Sequence, residues 1–169
     1  TVGTADTELK GFSFSGTGSN TILGKNLSDG SITMGADGTV NQLLATGVMD
    51  NMNITLNGGQ NTIGGTDTSL NNTKISGDAA GTNTILATGM TGGSINLGES
   101  DDRVDIFGNI DGATISLGDG HNSLRNTLTT AEAGNTAPGH GSATGNTVSN
   151  STNVTGDTTD IYPGNVPDT

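Results

Sequence analysis

A repeat of about twenty residues limits what this chain can fold into more than any other feature of it. One unit reads Asn/Asp-x-(Ile/Leu/Val). It recurs at Asn20-Thr21-Ile22, Asn41-Gln42-Leu43, Asn61-Thr62-Ile63, Asn83-Thr84-Ile85, Asp102-Arg103-Val104 and Asn122-Ser123-Leu124, and its apolar member advances by 21, 20, 22, 19 and 20 residues. A second unit places an apolar residue five positions before an Ile: Leu27/Ile32, Met49/Ile54, Leu70/Ile75, Met90/Ile95 and Ile110/Ile115. Two positions past the Ile stand Met34, Leu56, Gly77, Leu97 and Leu117, so the third coil carries Gly where the others carry a large side chain. Two independent columns that keep one period mark a repeat architecture.

Within each unit the apolar residues alternate with polar ones, as in Ser31-Ile32-Thr33-Met34 and Thr114-Ile115-Ser116-Leu117. That spacing belongs to half-buried strands, not helices. Gly, Asn, Asp and Ser cluster between the strands, where the chain must turn. The expected fold is all-β: a single parallel β-solenoid over residues 16–125, with about 5–6 coils of about 20 residues and two short strands per coil. About four inward apolar residues per coil contribute roughly 1.5–3 kcal/mol each. Ordering about 20 residues costs roughly 1–2 kcal/mol apiece, so a lone coil should not fold and stability must come from stacking.

Composition fits a thin core. Gly accounts for 29 of 169 residues, apolar types for 29% and aromatics for 2%, well short of an ordinary globular domain. Net charge is −12, with five basic residues in all. Such a chain repels phosphate backbones and anionic lipid, so no nucleic-acid partner is expected, and no apolar run is long enough to suggest membrane insertion. The absence of cysteine removes thiol chemistry, disulfides and Cys-based zinc sites. The chain opens at Thr1 with neither Met nor a hydrophobic leader, and is expected to be a processed product.

By parity Asn20, Asn41, Asn61, Asn83 and Asn122 share a face with the inward Ile or Leu. Stacked amides there could bond one another and the turn backbone. The alternative is a solvent-facing turn role. Residues 1–15 hold the alternating Gly11-Phe12-Ser13-Phe14-Ser15, expected as an N-terminal strand or cap. Residues 126–169 form a Gly/Ser/Thr/Asn-rich tract with faint echoes of the repeat at Asn146-Thr147-Val148 and Asn153-Val154. It is expected to be an irregular cap or tail, with a contact to another subunit or a disordered linker as alternatives.

The repeat resembles the secreted calcium-binding β-rolls of the RTX family, whose unit is G-G-x-G-x-D-x-U-x. The segments that carry the resemblance are Gly118-Asp119-Gly120-His121-Asn122-Ser123-Leu124, Asn57-Gly58-Gly59-Gln60-Asn61-Thr62-Ile63 and Gly98-Glu99-Ser100-Asp101-Asp102-Arg103-Val104. The resemblance implies an extracellular or cell-surface location and possible Ca²⁺ between coils. Most of the family's ligand Asp positions are Asn here, and a neutral oxygen should weaken binding steeply. No cofactor is required on this reading. The cluster that could still take Ca²⁺ is Glu99, Asp101 and Asp102, with Asp119 one coil on; the alternative is a solvated acidic turn.

An enzyme is not expected. His121 and His140 are isolated among Gly and Ser, and the abundant hydroxyl residues lack a base and an orienting group. The outward faces carry more information. Leu23, Leu44 and Leu86 form a row beside the Asn column that reads as a docking surface, unless a flank covers it through Phe12 and Phe14. The opposite face presents Ser31/Thr33, Asn53/Thr55, Lys74/Ser76, Ser94/Asn96 and Thr114/Ser116, which admits an ice-binding reading interrupted by Lys74. Solenoid ends are open edges that template further stacking. The favoured function is therefore a structural subunit that self-assembles, as a homo-oligomer, through its ends or Leu face into a fibre or surface layer. An adhesin or calcium-binding module of a secreted protein is the alternative. Five Asn-x-Ser/Thr sequons, at Asn26, Asn53, Asn71, Asn150 and Asn153, permit glycosylation.

Overall fold

The computed structural model of the chain describes residues 1–78, 81–120, 122–126, 147–149 and 159–163. Among these there is no helix; the strands form three parallel sheets that wind into a β-solenoid of about six coils. The leading sheet stacks Thr21–Gly24, Val40–Ala45, Gly59–Gly64, Gly81–Ala87, Arg103–Ile106, Asn122–Asn126 and Thr159–Pro163. The middle sheet stacks Glu8–Lys10, Asn26–Ser28, Val48–Asp50, Ser69–Asn71, Gly89–Thr91 and Ile110–Asp111. The trailing sheet stacks Ser13–Gly16, Ser31–Met34, Asn53–Leu56, Lys74–Gly77, Ser94–Asn96, Thr114–Ser116 and Thr147–Ser149.

Register is kept from rung to rung. Ile22, Leu43, Ile63, Ile85, Val104 and Leu124 form one inward column. Leu27, Met49, Leu70, Met90 and Ile110 form a second. Ile32, Ile54, Ile75, Ile95 and Ile115 form a third. All of these side chains are buried, so one narrow core runs the length of the stack. A one-residue slip would turn a whole column outward, which is what pins the register.

Each coil thus carries three strands rather than the expected two. The middle strand is only two or three residues long and turns one side chain inward. It is separated from the trailing strand by a left-handed corner. That position holds Gly11, Asp29, Asn51, Asn72, Gly92 and Gly112 in successive coils, with φ of 60°, 54°, 53°, 46°, 61° and 62°. Only Gly, Asn and Asp adopt this conformation at modest cost, which explains why those three types alternate in the column.

The stack begins before residue 16. Leu9 lies in register with Leu27 and Phe14 with Ile32, and Val2 bridges to Ile22. Phe12 fills the space over Gly30, where an added Cβ would stand 2.8 Å from its ring. The Gly at position 77 also has a packing reason: a Cβ there would stand 2.9 Å from Asn83 Nδ2 and 3.4 Å from Leu97 Cδ2. Of the C-terminal segment, Thr147–Ser149 extends the trailing sheet beside Thr114–Ser116, and Thr159–Pro163 extends the leading sheet beside Asn122–Asn126. The remaining cap-or-tail expectation for 126–169, His121, His140 and the sequons at Asn150 and Asn153 lie outside the described residues.

Candidate functional site

At the entry of each leading strand the Asn column forms a hydrogen-bonded ladder inside the solenoid. Nδ2 of Asn20 donates to Oδ1 of Asn41, that of Asn41 to Asn61 and that of Asn61 to Asn83, each at 3.0 Å. Asn83 Nδ2 donates to Asp102 Oδ1 at 2.9 Å. The second N–H of each amide turns to its own loop: Asn61 to the Gly58 carbonyl at 3.1 Å, Asn83 to the Gly81 carbonyl at 2.8 Å, Asn41 to Thr39 Oγ1 at 3.0 Å. Backbone N–H groups join in, with Asn20 N donating to Asn41 Oδ1 at 3.0 Å and Asn83 N to Asp102 Oδ1 at 2.8 Å. Asn41, Asn61, Asn83 and Asn122 are buried, while Asn20 on the outer rung is half-buried. A buried amide with no partner would be costly; the ladder satisfies the Asn column and ties loop to strand in the coils that carry an Asn. The structure thus takes the inward alternative for this column.

Asp102 occupies the same slot, a position that the recurring motif identifies but that the amide ladder of five Asn leaves out. It is 2% exposed. Its Oδ1 accepts from Asn83, its backbone N donates to Asn122 Oδ1 at 3.0 Å, and its Oδ2 is buried without a hydrogen-bond partner. Burial, aided by the neighbouring Asp101 charge, raises its pKa to about 6 against the opposing bonds from Asn83.

The other three acidic residues of the calcium expectation do not share this position. Glu99 and Asp101 are exposed on the turn and Asp119 is half-buried in the next turn, while Asp102 points into the ladder. Among the described residues no group of three or more His, Cys, Asp or Glu stands close enough to hold a metal ion. The parity that makes Asp102 a rung of the ladder takes its carboxylate away from the turn.

The structure separates the five residues expected on an assembly face. Leu23, Leu44 and Leu86 lie on the outward side of the leading sheet and are half-buried. Leu23 and Leu44 are in direct register; Leu86 pairs with Gly64 on one side and Asp105 on the other. Asp105 is buried and takes bonds from Arg103 on the same strand, through Nε at 3.0 Å and through Nη2. That pairing raises the arginine's pKa. Phe12 and Phe14 sit elsewhere, on the core side of the first rung, beside Leu9. They do not cover the Leu row.

The first rung is the distinctive surface. Glu8–Lys10 and Ser13–Gly16 end their sheets. Leu9, Phe12 and Phe14 are half-buried where their counterparts in the next rungs are wholly buried, and Val2 is 37% exposed. Sequence reasoning missed Val2 and Leu9 as rung residues; the spacing of 18 between Leu9 and Leu27 was the available signal. On the trailing sheet, Ser31, Asn53, Lys74, Ser94 and Thr114 form one outward column and Thr33, Thr55, Ser76, Asn96 and Ser116 another. Comparison with protein-family models, curated proteins and solved structures finds no match for this chain.

Proposed function

We propose that this chain is a structural, non-catalytic solenoid subunit that works outside the cell or at its surface and joins copies of itself end to end. The observation that carries this reading is the first rung. It presents strand edges at the end of two sheets, together with three core-type side chains that the next rung alone only half buries. A parallel rung from a second copy has the spacing and the apolar columns to complete both. The extracellular placement rests on the resemblance to secreted repeat proteins.

The test is the assembly state of the purified chain, read by electron microscopy and light scattering, against a variant blocked at the first rung. Ser31 N donates to the Phe12 carbonyl at 2.8 Å. The alternation of a parallel ladder therefore aims the Ser13 N–H at the outer edge. Ser13→Pro removes that donor and is tolerated on an edge strand. Wild type is expected to form rods or filaments and Ser13→Pro to remain monomeric with its fold kept. Monodisperse wild-type monomers across salt and protein concentration would overturn the reading and leave a spacer module of an adhesin as the better account.

A further inference from the structure

The amide ladder is complete over four links and changes character at the fifth. In the first four, one Oδ1 receives the amide nitrogen of the preceding rung. The backbone N–H of Asn20 reaches that same oxygen on Asn41, and the backbone N–H of Asn83 reaches it on Asp102. Asn122 Oδ1 is placed the same way, since it accepts from the backbone N–H of Asp102. Asp102 presents its Oδ1 to Asn83, so its Oδ2 stands where every other rung has an NH₂ group. An ionised carboxylate has acceptors only. Oxygen would then oppose oxygen between Asp102 and Asn122, in a buried position.

We propose that Asp102 is a proton-dependent rung: as a neutral acid it donates from Oδ2 and continues the ladder to Asn122, and on losing that proton it breaks this side-chain link of the ladder. The surroundings favour the neutral acid. Asn83 faces Asp102 from the preceding leading strand and Asn122 from the following one, and neither carries charge. The titratable groups that the sequence places in the adjoining turns are Asp78, Glu99, Asp101 and Asp119, all acidic, and His121. Arg103, next in sequence, turns outward to Asp105. Burial and the Asp101 charge raise the Asp102 pKa from 3.8 to about 6, in the direction that retains the proton. The folded chain therefore holds more protons than the unfolded chain between those values. Its stability is greatest below them, falls as pH rises through the window and levels off above about 6. This inference is independent of end-to-end assembly.

The experiment is urea unfolding of the full chain and of Asp102→Asn, from about pH 4 to about pH 7. Asn restores the ladder's own residue at this position, so the variant is expected to fold. The ratio of folding constants, wild type over Asp102→Asn, should drop roughly fiftyfold across that range. A ratio that stays level overturns the proposal. Carboxyl-carbon NMR of the wild type decides it without a variant: a titration midpoint for Asp102 near 6 supports it, and one in the ordinary carboxylate range refutes it.

Discussion

Asn61 shows what a single side chain contributes. It accepts from Asn41, donates to Asn83 and donates to the Gly58 carbonyl, all within the core. Truncation leaves neighbours on both sides without partners, and a buried group left unsatisfied costs about 1–3 kcal/mol. Asn61→Ala should lower unfolding stability by about 2–3 kcal/mol in urea titrations, whereas Thr62→Ala, on the half-buried outward side, should stay within about 0.5 kcal/mol. Asn61→Asp should destabilise the chain at neutral pH and recover on acidification, because it places a second carboxylate in the ladder. Position in the motif was enough to read the Asn column from the sequence. The different behaviour of Asp102 was not, because charge alone suggested a solvated or cation-binding turn. Only the inward parity of its slot, shared with Asn83 and Asn122, makes it a buried acid.

At the scale of the strand and its turn, the left-handed corner decides the shape of the coil. Gly112 has φ of 62° and a Cβ there would meet nothing closer than Gly92 N at 4.0 Å; Gly93 has φ of 74° and a Cβ there would lie 2.2 Å from the Thr73 carbonyl oxygen. Gly112→Ala should therefore cost about 1–2 kcal/mol for conformation alone. Gly93→Ala should cost more, since backbone must move as well, and thermal unfolding of the two variants side by side will order them. The same corner explains why the middle sheet was hidden. Leu27 and Ile32 both face inward although they are five residues apart, an odd spacing that no single strand permits. The corner residue between them resets the alternation. The long leading strands, such as Gly81–Ala87, were legible because six or seven residues show the period openly.

Among the described residues, strand pairing joins each rung only to its neighbours, so stability is distributed along one axis. Hydrogen exchange should be slowest in the central strands, such as Gly59–Gly64 and Gly81–Ala87, and fastest in Glu8–Lys10 and Ser13–Gly16, which have a partner on one side only. Uniform protection from the first rung to the middle would contradict this in the monomer. The sequence placed the period and core columns correctly but treated residues 1–15 as a flank. Phe12 and Phe14 interrupt the Ile/Leu/Met usage of the inner columns, and Phe12 is large because Gly30 below it is small.

The unbroken register has a consequence for how such a chain can change in length. Because the coils between Thr21 and Ser116 meet one another through the same three strands and the same left-handed corner, a tandem duplication of one repeat unit there would insert a complete rung. The rod would grow by about 4.8 Å and both termini would keep their surfaces. Reach, in this design, is set by copy number, and the genetic event that alters it is slippage at a repeat boundary rather than a change in any residue.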